Sequence, residues 1–286
     1  MIEVIFLLVL AAAWLAFATF SDVKTTEIFN WLNFSLIIFA LGFRFFYSLF
    51  SSQGFGFFFQ GLMGLGIFFV VGNFLYYSKV FAGGDEKLMI AMGTVLPFST
   101  NFSVNVKIFV TFMLLFLLLG SVYGFLMSGY FAARNREKFR KEFKEQNRKV
   151  LKFSIPVWIF SLGIIVTGLL MNIFVFYLGL LILILPWLYV FSKSVDEACM
   201  IKKVEPEKLM EGDWLYKDVK AGSKDIKANW DGLTKKDIGI LKEKSLSVLI
   251  RRGIAFTPVF LFSFLALIYV YFINTGIFLG LWNSFW

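Results

Sequence analysis

Long apolar runs alternate with short polar breaks along most of the chain. They cover about residues 2–20, 31–50, 56–78, 88–98, 105–131, 153–171, 173–191 and 254–283. Most approach the roughly 20 residues an α-helix needs to cross a hydrocarbon core of about 30 Å. Backbone N–H and C=O groups inside a bilayer must pair within their own segment, which makes these runs helices. The pattern predicts an all-α polytopic membrane protein of about eight transmembrane helices, with a small cytoplasmic domain before the last helix. One run, 88–98, is short for a full crossing. The simplest remedy is a helix that begins below the membrane surface, which puts Asp85 within the membrane boundary. A re-entrant loop is the competing remedy.

The polar breaks carry the orientation. Nine Lys/Arg lie between Arg134 and Lys152, against Glu137, Glu142 and Glu145, and fourteen more lie between Lys193 and Arg252. With Lys24, Lys79 and Lys87 they account for all but Arg44 and Lys107 of the 28 basic residues. The excess of Lys/Arg on cytoplasmic loops places these stretches inside the cell. The run 153–191 lies between two such stretches and must cross twice, with a tight turn near Met171-Asn172. Five parts follow: membrane helices over 1–131, a basic cytoplasmic loop over 132–152, a transmembrane hairpin over 153–192, a cytoplasmic domain over 193–252, and a last transmembrane helix over 253–286. Residues 2–20 read as a retained first helix, because Met1-Ile2-Glu3 lacks the basic start of a signal peptide.

The 193–252 segment is different in kind. It is polar and rich in turns, such as Glu211-Gly212-Asp213-Trp214 and Asn229-Trp230-Asp231-Gly232. Thr234 with Asp237 three residues on reads as the start of a helix. Ile238, Leu241, Leu246 and Leu249 partly fit one helical face.

Composition narrows the chemistry. The chain is 59% hydrophobic, with 39 Phe among 286 residues, one Cys and no His. The single Cys199 rules out an internal disulfide and a cysteine metal cluster. The lack of histidine removes zinc hydrolases and Ser-His catalysis. Carboxylate, hydroxyl, lysine and backbone remain, and the expectation is no metal and no cofactor. The net charge of +9 flanks membrane segments, where it suits anionic lipid headgroups rather than nucleic acid.

Two carboxylates stand out. Asp22 follows the first apolar run directly, and Asp85 follows Gly83-Gly84 after the third. Both runs cross in the same direction, so both acids reach the same membrane face. An acid at the edge of hydrocarbon is costly and suggests function. If adjacent, the two share one proton: the ionised partner draws a proton from water while the neutral partner supports the scissile carbonyl. Each acid taken singly also fits a plain helix end, and Gly-Gly-Asp fits a plain turn.

These residues resemble a known family. Asp22-Val23-Lys24-Thr25-Thr26-Glu27-Ile28-Phe29-Asn30 resembles the first aspartate motif of type IV prepilin peptidases. Gly83-Gly84-Asp85-Glu86-Lys87-Leu88 resembles their second, Gly-x-Gly-Asp-x-Lys-Leu. The archaeal branch, which processes preflagellins and archaeal prepilins, is the most similar. Its late Gly-Ile-Pro-Phe-x-Pro stretch resembles Gly253-Ile254-Ala255-Phe256-Thr257-Pro258. Ala82 stands in place of the first motif glycine, and Ala255 where proline is common. The bacterial cysteine-rich methyltransferase domain is absent. The resemblance implies a GxGD-type intramembrane aspartyl protease of the plasma membrane that removes the short basic leader of a prepilin or archaellin precursor at the cytoplasmic face. Asp22 and Asp85 match its catalytic aspartates. Gly83 and Gly84 match its flexible motif, and Lys87 matches a position without an assigned role. On charge grounds Glu27 and Glu86 are candidates for attracting a basic leader, or else are ordinary solvated acids. A carboxylate-dependent transporter and a non-catalytic component of pilus assembly are the alternatives.

Overall fold

The structure, a computed structural model, describes residues 2–51, 54–222 and 224–283. The helices in chain order are α1 (Ile2–Thr25), α2 (Asn30–Phe50), α3 (Gly56–Tyr77), α4 (Gly83–Met92), α5 (Phe102–Arg134), α6 (Arg136–Met171), α7 (Ile173–Val195), α8 (Lys235–Glu243), α9 (Thr257–Ile268) and α10 (Thr275–Asn283). Six apolar helices are long enough to cross a membrane, among them α1, α2, α3, α5 and α6, with α7 running on through a π turn to Met200. A seventh span is formed if α9, its π-helical extension to Ile273 and α10 count as one, bent by 93° at the break. The chain is therefore an all-α polytopic membrane protein.

The short run behaves differently from the others. α4 has ten residues, a rise of about 15 Å, which is half of a hydrocarbon core. Three-residue turns at Gly93, Thr94 and Val95 then end it. Close packing sets its position. A Cβ on Gly64 of α3 would strike the Gly93 carbonyl, and one on Gly93 would strike Gly64. Only glycine lets these two backbones meet.

Arg44 anchors the end of that segment. It is fully buried on α2. Its guanidinium donates to the carbonyls of Thr94 (2.8 Å), Phe57 (3.0 Å), Val95 (3.2 Å) and Pro97 (2.6 Å). It also lies 4.2 Å from the centre of the Phe57 ring. The carbonyls that end α4 have no partner within the helix, and the planar fork of arginine can serve several at once.

The chain divides into two compact units, one of residues 1–124 with 254–286 and one of 125–253. In the first, α1 packs on α9 and α2, and α4 on α3 and α2. Its core includes Leu7, Leu15, Leu36, Phe68, Phe112 and Phe264.

The second unit contains the α6–α7 hairpin and a small sheet. Asn172 caps α7, its side chain accepting from the Phe174 N–H at 2.8 Å, which places the expected tight turn. The basic stretch after Arg136 is the leading part of α6 itself. Exposed Leu162, Leu169, Leu170 and Leu181 on the hairpin suit a lipid environment. Strands β1 (Ile201–Val204), β2 (Trp214–Leu215), β3 (Val219–Ala221), β4 (Lys224–Ile226) and β5 (Val248–Arg251) form an antiparallel sheet of order β1-β5-β2 and a separate β3-β4 hairpin. Thr234 and Asp237 make the reciprocal capping box of α8. Ile238 and Leu241 are buried on it, while Leu246 follows the helix and Leu249 lies exposed on β5. The glycines at 212 and 232 take positive φ (93° and 78°), and the Gly212 N–H reaches the Leu233 carbonyl at 2.9 Å.

Candidate active site

Asp22 is carried inward by the register of α1. The buried residues Val4, Leu7, Ala11, Leu15, Ala18 and Asp22 recur at intervals of three or four, the spacing of one helix face. Asp22 thus continues a core stripe and is only 7% exposed. A carboxylate in such a place requires donors. Thr257, the first residue of α9, supplies two: its backbone N–H donates to Asp22 Oδ2 at 3.0 Å, and its hydroxyl donates to the same oxygen. The leading N–H groups of a helix have no internal acceptor and form its positive end. Asp22 therefore acts as an external cap on α9.

α1 ends just beyond Asp22. Thr26 adopts φ 58°, and its N–H returns to the Asp22 carbonyl at 2.7 Å. The chain then turns so that the rest of this motif meets the second one. Lys87 Nζ donates to Asn30 Oδ1 at 2.7 Å. Ile28 lies against Gly84, where an added Cβ would be 3.3 Å from Ile28 Cβ and Cδ1. At Gly83 an added Cβ would meet only Tyr76, at 3.8 Å. Both glycines sit in the first turn of α4 without positive φ. Gly84 is needed for a close approach, while Gly83 leaves room for alanine. Gly83→Ala is expected to keep the wild-type cleavage rate. Gly84→Val, which pushes Ile28 and with it the α2 end away, is expected to lower the rate about tenfold through misplacement of the site. Equal rates for the two variants would show that this packing is irrelevant to activity.

Asp85 is half-buried three residues after Ala82, the residue preceding α4. It accepts a hydrogen bond from the Ala82 backbone, the carboxylate half of a capping box. Burial pushes its carboxyl up to about 7, the charge of Asp22 adds to that rise, and the Ala82 bond opposes it. α4 is not among the candidate spans. The charge of Asp22 reaches Asp85, which places the two aspartates within each other's electrostatic reach.

Further side chains complete the surroundings. Tyr123 on α5 donates to the Ala255 carbonyl at 2.9 Å, which holds the stretch leading to Thr257, and it interacts electrostatically with Asp22. Phe81, Phe116, Phe256 and Phe260 form a cluster of edge and tilted ring contacts, the closest pair being Phe116 and Phe260 at 4.7 Å. Two of them directly precede the functional stretches, Phe81 before the Ala82 cap and Phe256 before Thr257. Rigid aromatic packing here fixes the starts of α4 and α9. Glu27 and Glu86 are both half-buried. The Glu27 carbonyl accepts from Ser21 Oγ at 2.9 Å, and Glu86 is raised by burial against the lowering effect of Lys87.

Residues 9–129 match the model of the type IV leader peptidase family. This segment of the chain is similar to that family. Searches of the curated proteins and of the solved structures found no match. The matched segment includes both aspartate motifs and ends within α5, and Thr257 lies outside it. A protease embedded in the membrane by several helices is the activity this family indicates.

Thr257 and Tyr123 received no role from the sequence. The stretch 253–258 was visible as a motif, and Thr-Pro is a good helix start, but nothing in it tells which distant carboxylate it faces. Thr257→Val keeps the shape and removes the hydroxyl. The expected result is a 10- to 100-fold lower kcat with an unchanged KM, about the worth of one hydrogen bond to a charged group. An unchanged kcat would show that the hydroxyl serves packing alone.

Proposed function

We propose that this protein is an aspartic endopeptidase that cleaves the short basic leader from type IV pilin-like or archaellin precursors. Asp22 and Asp85 are its catalytic residues, and it works at the cytoplasmic face of the plasma membrane. The reading rests above all on the electrostatic pairing of a buried Asp22 with Asp85 inside a leader peptidase segment. The archaeal branch is supported by the similarity of residues 253–258, and the cytoplasmic face by the distribution of basic residues.

The chemistry follows from the unequal surroundings of the two acids. Asp22 Oδ2 accepts from Thr257 at the positive end of α9, which suits it to carry the negative charge. Its Oδ1 takes a proton from a water molecule as the water oxygen bonds to the scissile carbonyl carbon. Asp85 enters protonated and gives its proton to the carbonyl oxygen. The diol so formed returns a proton to Asp85 as the C–N bond breaks, and Asp22 passes its proton to the leaving nitrogen. The pair ends with one proton, as it began, and neither metal nor cofactor takes part. Lys87, through Asn30, and Gly84, through Ile28, hold the two acids in register. Glu27 and Glu86 favour a basic leader by their charge.

The test is incubation of the purified protein in detergent with a type IV pilin precursor bearing a lysine-rich leader. Cleavage at one bond behind the leader is expected. A precursor left intact by folded protein would end the proteolytic reading.

A further inference from the structure

A groove of about 560 Å³ runs between α2, α3 and α4. Its walls are almost wholly apolar, with Phe34 and Ile37 from α2, Leu62 and Phe69 from α3, and Ile90 from α4. Three polar side chains, Asn33, Glu86 and Lys87, stand apart from that character. Asn33 lines the groove, is 1% exposed, and has no hydrogen-bond partner for either its amide nitrogen or its carbonyl oxygen among the described residues. Glu86 lies at the same groove, directly after Asp85 in the chain, and its carboxylate makes no hydrogen bond or salt bridge among the described residues. Lys87 lines the groove too, attracts Glu86 electrostatically, and donates to Asn30 Oδ1 at 2.7 Å. Gly66 widens the groove, since a Cβ there would meet nothing within 4 Å.

An unpaired buried amide is costly, and its presence in a groove calls for a partner. A lipid chain would cover the apolar walls but leave Asn33 unsatisfied. The phosphate of a lipid headgroup would meet the like charge of Glu86, would find the Lys87 ammonium already bonded to Asn30, and would still leave Asn33 unpaired. A peptide backbone presents an N–H and a C=O side by side, which matches the oxygen and the NH₂ of a carboxamide. A Lys or Arg on that peptide would compensate Glu86. We propose that this groove seats the substrate's chain beside the cleaved bond, with Asn33 pairing to its backbone amide and Glu86 to one of its basic side chains. The proposal rests on the peptidase reading above and adds where the substrate lies.

Two measurements on the full-length protein decide it. The first is cleavage of the lysine-leader pilin precursor by Asn33→Leu and Gly66→Leu. Each is expected to raise KM about tenfold or more while kcat changes little, since each removes ground-state binding. Gly42 lines a second, wholly apolar groove with Phe6, Trp14 and Phe39, and it too has open space at Cβ. Gly42→Leu is therefore the control, and its KM is expected to match wild type. The second is photocrosslinking from p-benzoylphenylalanine placed at Leu62 in an Asp85→Asn background, which is expected to capture the precursor. If wild type cleaves the precursor while Asn33→Leu and Gly66→Leu keep its KM, the groove assignment falls and the peptidase reading stands. Crosslinking to phospholipid alone would likewise overturn the assignment. A wild type that does not cleave, yet binds the precursor at Leu62, would overturn the peptidase reading and leave the groove.

Discussion

Asp85→Asn and Asp22→Asn are each expected to reduce precursor cleavage by about 10³-fold or more, the range removed with a positioned general acid or base. The two losses have different causes. Asparagine at 85 keeps a hydrogen bond to Ala82 but has no proton to give. Asparagine at 22 can still face Thr257 but takes no proton from water. The double variant is expected to be no worse than either single one, because the acids act as a unit. The pH profile follows from the raised value of Asp85, about 7. Below it Asp85 holds the proton that the reaction uses. As pH rises through about 7 that proton is lost and two like charges face each other, so the rate falls on the alkaline side. Full activity at pH 9, or in either single variant, would remove the pair from the mechanism.

Arg44→Met is expected to give the largest loss of stability. The change orphans hydrogen bonds to the carbonyls of Phe57, Thr94, Val95 and Pro97. A buried polar group left unpaired costs about 1–3 kcal/mol, and even partial re-pairing of four leaves a net loss of about 3 kcal/mol or more. Against this, removal of a buried cation relieves its desolvation. The carbonyl penalty wins because α4 ends there, at a site where Arg44 is fully buried. Arg44→Lys is expected to fall between the two, since one ammonium cannot span four acceptors. Thermal unfolding in detergent measures this. A melting temperature for Arg44→Met equal to wild type would mean that the carbonyls re-pair without cost.

The membrane architecture was legible in the sequence because hydropathy reports it directly. Most helix ends fell near the apolar run ends, and the Asn172 turn and the Thr234 cap follow from local residue chemistry. The buried side of each helix was not legible. In a soluble helix the inner stripe is apolar and the outer polar, whereas a helix in lipid is apolar all round. The stripe that ends in Asp22 was therefore hidden among equally apolar neighbours. The short run 88–98 was seen as unusual, and its helix starts earlier, at Gly83, and stops at Met92. It is a ten-residue helix closed by Arg44, a residue that charge counting had left over. The 93° bend after Ile273 carries no proline; it follows the π-helical turn Tyr269–Ile273 and falls at Asn274, whose backbone is non-helical (φ −115°, ψ 66°). Thr257 was hidden for a simpler reason: 235 positions separate it from Asp22, and no local rule links residues so far apart.

That separation has a bearing on biosynthesis. Translation delivers both acids long before Thr257, so the pocket cannot be finished until α9 has emerged from the ribosome and entered the bilayer. A chain that stops short of α9 would hold Asp22 without its cap, and the pocket would be complete only when α9 docks.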